Sequence, residues 1–129
     1  MRGSSKRQRF FIFPKPNSTW RPILNTDYIV VLVTTANKSE AERIAHTLLN
    51  EKLIVCANII NPVTSFFYWS GKVDCAEECL VVMKSRKDLF GELAERLKGL
   101  HSYEVPEVLA LPVVDGSEAY LDWMNKVLK

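Results

Sequence analysis

The spacing of hydrophobic positions first marks two short strands with apolar residues on both faces. YIVVLVTT at 28–35 and VLALPVV at 108–114 are nearly unbroken apolar runs, rich in β-branched residues. Such runs are typical of buried strands that are covered on both sides. Each therefore predicts a strand inside a sheet.

A second pair of strands lies between these two. Residues 53–73 are rich in strand-forming types, and Asn61-Pro62 interrupts them, which predicts a bulge or bend. Ser70-Gly71 predicts the turn of a hairpin. CLVVMKS at 79–85 is then the return strand.

Three segments instead repeat apolar residues at helical spacing. The first helix opens at Asn37 and the capping box Ser39-Glu40-Ala41-Glu42 and ends near Lys52. The second begins at Ser85 or Asp88, and Ser117 caps the third. Their apolar stripes are Ala41, Ile44, Ala45, Leu48 and Leu49; Leu89, Phe90, Leu93, Leu97 and Leu100; and Tyr120, Trp123, Met124, Val127 and Leu128.

The resulting order, β-α-β-β-α-β-α, predicts an α+β fold. It is typical of a ferredoxin-like βαββαβ sandwich, an antiparallel sheet with two helices on one face, with an extra C-terminal helix. The opposite sheet face has no predicted helical cover although its strands are apolar. We expect another copy of the chain to cover it.

Charge separates the chain into two parts. Residues 1–27 form a basic, Pro-containing N-terminal extension, with six basic residues and the single acid Asp27, and residues 28–129 form one mildly acidic domain. The net charge of +2 is too weak to indicate a nucleic-acid partner for the whole molecule. No apolar run reaches the roughly 18 residues of a membrane span.

Compartment is indicated only indirectly. Three cysteines, an odd and sparse set, fit a reducing compartment and predict a cytoplasmic location. The Arg-rich, acid-poor extension would also suit an organellar transit segment.

Candidate chemistry is concentrated in GLHSYEVPEVLALPV at 99–113. His101, Tyr103, Glu104 and Glu107 offer imidazole nitrogen and carboxylate oxygens, which bind divalent metals or act in acid–base chemistry. The alternative is a plain helix-to-strand connection, with His101 at a helix C-terminus. Pro106 excludes a continuous helical His-x-x-Glu face.

Four successive aromatic residues in FFYWSGK, 66–72, place two rings on each side of a strand. We interpret them as core or subunit interface. A base-stacking platform is the alternative, but the glycine-aromatic pattern of RNA-recognition sheets is missing.

Four blocks together, ANIINPVTSFFYWSGKV, EECLVVMKS, LHSYEVPEVLALPV and GSEAYLDWM, resemble the CutA family of divalent-cation tolerance proteins. The resemblance covers residues 28–129. It implies a ferredoxin-like protomer in a homotrimer similar to the PII signalling proteins, cytoplasmic or organellar, acting in the response to metal ions.

The resemblance also implies site residues. The ligand-cleft candidates are Trp69, Lys72, Lys84, Tyr103 and Glu104, and the metal candidates are His101, Glu104 and Glu107. Bacterial members have two consecutive histidines where this chain has Leu100 and His101, so binding of copper or another divalent metal is expected to be weak. We expect that the protein is not an enzyme. An enzyme with acid–base residues in an inter-subunit cleft and an interaction scaffold are the alternatives.

Overall fold

The computed structural model describes residues 27–129. The prediction of a basic extension over residues 1–27 therefore falls, except for Asp27, outside the described residues. The described part follows the predicted order of elements.

Four strands form one antiparallel sheet in the order β2-β3-β1-β4. The strands are β1 Tyr28–Thr35, β2 Cys56–Trp69, β3 Lys72–Arg86 and β4 Leu109–Pro112. The helices are α1 Lys38–Asn50, α2 Phe90–Leu100, entered through the short 3₁₀ turn Lys87–Leu89, and α3 Glu118–Val127. This arrangement confirms the predicted ferredoxin-like α+β fold with a third, C-terminal helix.

The core lies on one face of the sheet. Alternate residues of β1 and β3 are fully buried there against the helices, as strand periodicity requires. The helices contribute the apolar stripes predicted from their spacing. Side chains without solvent exposure include Val31, Val33, Val81, Met83, Ile44, Leu48, Leu93 and Leu97.

Among residues 27–129, the other face of the sheet has no helix packed on it, and we call it the open face. The cross-strand register places one apolar set on it, because directly opposed residues point to the same side. Its members are Val30, Leu32, Ile60, Leu80, Val82, Leu109 and Leu111. None of them is fully buried.

The prediction of a buried strand at 108–114 is wrong for the single chain. β4 has only four residues, Leu109–Pro112, and all four are exposed. It lies at the sheet edge with β1 as its neighbour. An apolar run of this kind cannot by itself distinguish a covered strand from an edge strand.

The central hairpin is longer than predicted. β2 runs continuously through Asn61-Pro62, with the expected bulge between Ile60 and Val63. β3 extends back to Lys72 rather than starting at Cys79. The turn residues Ser70 and Gly71 have φ of 52° and 75°, as two-residue hairpin turns require.

The helix caps are close to prediction. Asn37 caps α1, its side chain accepting from the N–H of Glu40 at 2.8 Å. Glu40 in turn accepts from the N–H of Ala36 at 3.2 Å. The side chains of Asn37 and Glu40 therefore cap the start of α1, through the N–H groups of Glu40 and Ala36, in place of the predicted box from Ser39 to Glu42. Ser117 caps α3 as predicted.

Candidate functional site

The candidate site is built on the loop between α2 and β4, where His101 comes first. Its backbone N–H donates to the carbonyl of Leu97 at 2.9 Å and ends the helix. The imidazole is fully buried. Nε2 lies 2.7 Å from the carbonyl oxygen of Thr34, and Nδ1 accepts the N–H of Tyr103 at 3.0 Å. This pairing requires the tautomer with its proton on Nε2 and engages both ring nitrogens inside the chain.

A buried carboxylate holds the next residue. Glu40, 6% exposed, accepts from the backbone N–H and the hydroxyl of Ser102 at 2.7 and 3.0 Å. Burial alone would raise the pKa of Glu40, but the hydrogen bonds from Ser102 and Ala36 and the nearby His101 together lower it. Glu40 thus remains an anion that fastens the loop to α1.

The hydroxyl of Tyr103 reaches a third element. It donates to Oε2 of Glu78 on β3 at 2.6 Å. Burial, followed by the hydrogen bond to Glu78 and the negative charge of Glu78 and Glu40, raises the pKa of Tyr103 to about 12. Its ring packs on that of His101, with centroids 4.8 Å apart. Tyr103 is therefore a neutral donor at physiological pH.

The remaining predicted residues lie elsewhere in the chain. Glu104 and Glu107 are exposed on the same loop. Trp69 and Lys72 face each other beside the hairpin turn. Lys84 lies near the opposite end of β3, where Nζ contacts the side-chain oxygen of Asn58 and lies 3.7 Å from Sγ of Cys56.

A single chain therefore brings together only part of the predicted set. His101 and Tyr103 meet, whereas Lys84 lies twelve positions further along the extended strand than Lys72, a distance of roughly 40 Å. Among residues 27–129, no group of three or more His, Cys, Asp or Glu side chains is arranged to hold a metal ion.

The sequence interpretation missed Glu40 and Glu78 as members of this cluster. The sequence around Glu40 indicated a helix cap, and Glu40 has that role. Its second role depends on the position that the fold gives to Ser102. Glu78 lies 25 residues from Tyr103. Nothing local in the sequence indicates that contact, because it depends on how far the hairpin extends beyond β1.

None of the helices in the described part of the chain is long and apolar enough to cross a membrane. Fold and site together define a class: a ferredoxin-like α+β domain with one apolar sheet face left open and a buried polar cluster where α2 passes into β4.

Comparison with known proteins identifies the family. Residues 29–127 match the family described as CutA1 divalent ion tolerance protein, and the chain belongs to that family. This confirms the resemblance drawn from the sequence blocks.

Individual relatives agree. The chain is 41% identical over 97 residues to the divalent-cation tolerance protein CutA of Thermus thermophilus, covering 75% of this chain and 94% of that one. It is 43% identical over 97 residues to the chloroplastic protein CutA 1 of Oryza sativa, covering 75% of this chain and 55% of the relative. The chain thus spans about half the length of such plant relatives.

Solved structures show the same fold. CutA1 from Oryza sativa superimposes with a TM-score of 0.78 at 39% identity, covering 82% of this chain and 97% of that chain. The protein from Thermus thermophilus gives 0.77 at 39% identity, covering 79% and 99%.

Proposed function

We propose that this protein is a non-enzymatic, homotrimeric member of the divalent-cation tolerance family that binds a divalent cation or small ligand in a cleft between chains. The observation that carries the proposal is the open face. Ile60, Leu109 and Leu111 are 47%, 55% and 48% exposed although they belong to one continuous apolar surface. Covering such a surface stabilises an assembly by roughly 25 cal/mol for each Å² of apolar area.

Assembly would also account for the dispersed candidates. Trp69 and Lys72 at the hairpin tip cannot reach Tyr103 and Glu104 of their own chain if the hairpin extends away from the domain. A neighbouring chain could supply them. The proposed cleft therefore combines the loop of one protomer with the hairpin of another.

Metal binding at His101 would require a local rearrangement. Both ring nitrogens already have hydrogen-bonding partners, so a metal on Nδ1 would displace the N–H of Tyr103. The carboxylates of Glu104 and Glu107 are exposed. We accordingly propose weak binding of copper or another divalent ion, in which these carboxylates supply the accessible oxygens.

Calorimetric titration with Cu²⁺ and Zn²⁺ tests this role. Saturable heat that is reduced in His101→Ala and in Glu104→Gln/Glu107→Gln would support it. Glu95→Gln, an exposed glutamate on α2, is the matched control and should leave the heat unchanged. Equal heats in all variants, or no saturable heat, would remove the metal role.

The enzyme alternative receives less support. A general base needs a pKa near the working pH, and the pKa of Tyr103 is raised to about 12. The relatives are named as tolerance proteins rather than as enzymes. The scaffold alternative, acting through the basic extension, falls outside the described residues.

We propose a cytoplasmic or organellar location. The plant relatives are chloroplastic, and the basic, acid-poor residues 1–27 fit the organellar option. Imaging of fluorescent fusions with and without residues 1–27 tests this. Identical distributions would exclude a targeting role for the extension.

A further inference from the structure

The hairpin continues beyond the body of the sheet as a two-stranded ribbon, residues 63–78, which we call the arm. The last residue pair between β1 and β3 is Thr35 with Cys79. From Glu78 back to Lys72, β3 pairs with β2. A two-stranded ribbon is marginally stable in water by itself. Most of its large side chains are exposed, including Phe66 at 73%, Tyr68 at 81% and Trp69 at 69%. Within one chain, the direction of the arm therefore depends on contacts at its base.

The loop beside that base is fixed by three successive residues. The imidazole of His101 is bonded to the end of β1, and Ser102 is bonded twice to Glu40 on α1. The N–H of Tyr103 is bonded to His101. The backbone that carries Tyr103 is thus tied to both a strand and a helix of the core.

Tyr103 connects this fixed loop to the arm through a hydrogen bond. Its hydroxyl donates to Glu78, the first residue of β3 past the end of β1, at 2.6 Å. Both side chains are half-buried. A short bond from a phenol to a carboxylate belongs to the strong class of hydrogen bonds.

We propose that the hydrogen bond between Tyr103 and Glu78 is a clasp that fixes the arm to the 101–103 loop, so that arm and loop move as one body. The clasp presents the aromatic side chains of the arm in one orientation. Its loss frees the arm without unfolding the core. This inference goes beyond the proposed ligand and assembly roles, because it concerns the mobility of the arm within one chain.

Hydrogen–deuterium exchange of the full chain in metal-free buffer tests the clasp. Tyr103→Phe removes one hydroxyl and should accelerate exchange of the amides at 63–78 by about tenfold, while those at 79–85 keep their protection. Tyr68→Phe is the matched control, since it removes an exposed hydroxyl from the arm itself. It should exchange like the wild type.

A second pair examines the acceptor. Glu78→Ala should reproduce the effect of Tyr103→Phe, whereas Glu77→Ala, an exposed neighbour, should not. Equal exchange within each pair would overturn the proposal. Acceleration that extends equally into 79–85 would also overturn it, because it would mark global destabilisation.

Light scattering on the same samples keeps the two proposals separable. A chain that remains monomeric would end the trimer proposal and leave the exchange comparison valid. A trimer in which Tyr103→Phe exchanges like Tyr68→Phe would end the clasp and leave the assembly intact.

Discussion

Glu40 shows how one side chain can serve two elements. It closes the N-terminus of α1 through Ala36 and holds Ser102 through two further hydrogen bonds. We expect Glu40→Ala to lower the free energy of unfolding by about 3 kcal/mol, because it removes three hydrogen bonds to a buried, ionised carboxylate. Urea unfolding measures the loss. Glu42→Ala, exposed on the same helix, should change stability little, and equal effects would contradict this role.

The charge of Glu40 gives a pH dependence with a definite sign. Its pKa in the folded chain lies below the ordinary value of 4.5, so the folded chain binds this proton less tightly than the unfolded chain does. The stabilisation that ionised Glu40 contributes is present above pH 4.5 and is lost as the pH falls through its lowered pKa. Unfolding free energies measured down this range should fall more steeply for the wild type than for Glu40→Ala. Parallel curves would show that Glu40 is not the group responsible.

Tyr103 has the opposite behaviour. Its pKa is raised from 10.0 to about 12, so its contribution to stability is complete below 10 and is lost as pH rises through about 12. Ultraviolet titration should show the ionisation of Tyr103 near pH 12 in the wild type and in Tyr68→Phe. That step should disappear in Tyr103→Phe, and its persistence there would assign it to another residue.

At the scale of elements, local chemistry predicted what is local. Asn37 and Ser117 were identified as caps, and Ser70-Gly71 as a turn, because each acts on backbone groups within a few residues. The predicted length of β3 and the predicted burial of β4 were wrong. Strand extent depends on the partner strand, and burial depends on what covers the sheet, so neither can be obtained from a run of side chains.

The hairpin turn offers a direct test at this scale. Gly71→Ala should destabilise the protein by about 1 kcal/mol, because the backbone φ of 75° crowds a Cβ even though space around it is open. Gly99→Ala, inside α2 and equally unobstructed, should instead stabilise it by about 0.7 kcal/mol. Thermal unfolding compares the two. A shift of the same sign in both would refute the conformational argument.

At the scale of the whole molecule, the open face is the dominant feature, and its existence was predicted from a count of helices against strands. Which residues meet across chains was not predictable, because it depends on contacts that one chain does not contain. His101 and Tyr103 are neighbours in sequence and remain neighbours in the fold. The cluster formed by Lys84, Asn58 and Cys56 is instead a property of strand register.

We expect Leu111→Lys to shift the protein towards monomer at micromolar concentration, since it places a charge in the apolar surface that assembly would bury. Leu49→Lys, on α1 and 37% exposed, should leave the assembly unchanged. Multi-angle light scattering distinguishes the two. A monomeric wild type, or equal dissociation of both variants, would refute the assigned interface.

The anchoring of His101, Ser102 and Tyr103 to three different elements has a consequence for how this stretch can change length. Adding or deleting one residue there would shift every later side chain away from its own attachment point, and no single compensating substitution could restore all of them. Glu104 and Val105, which follow, are exposed to solvent and do not fix the loop in this way. Variation in chain length between α2 and β4 should therefore accumulate after Tyr103, while the first three positions keep a fixed count.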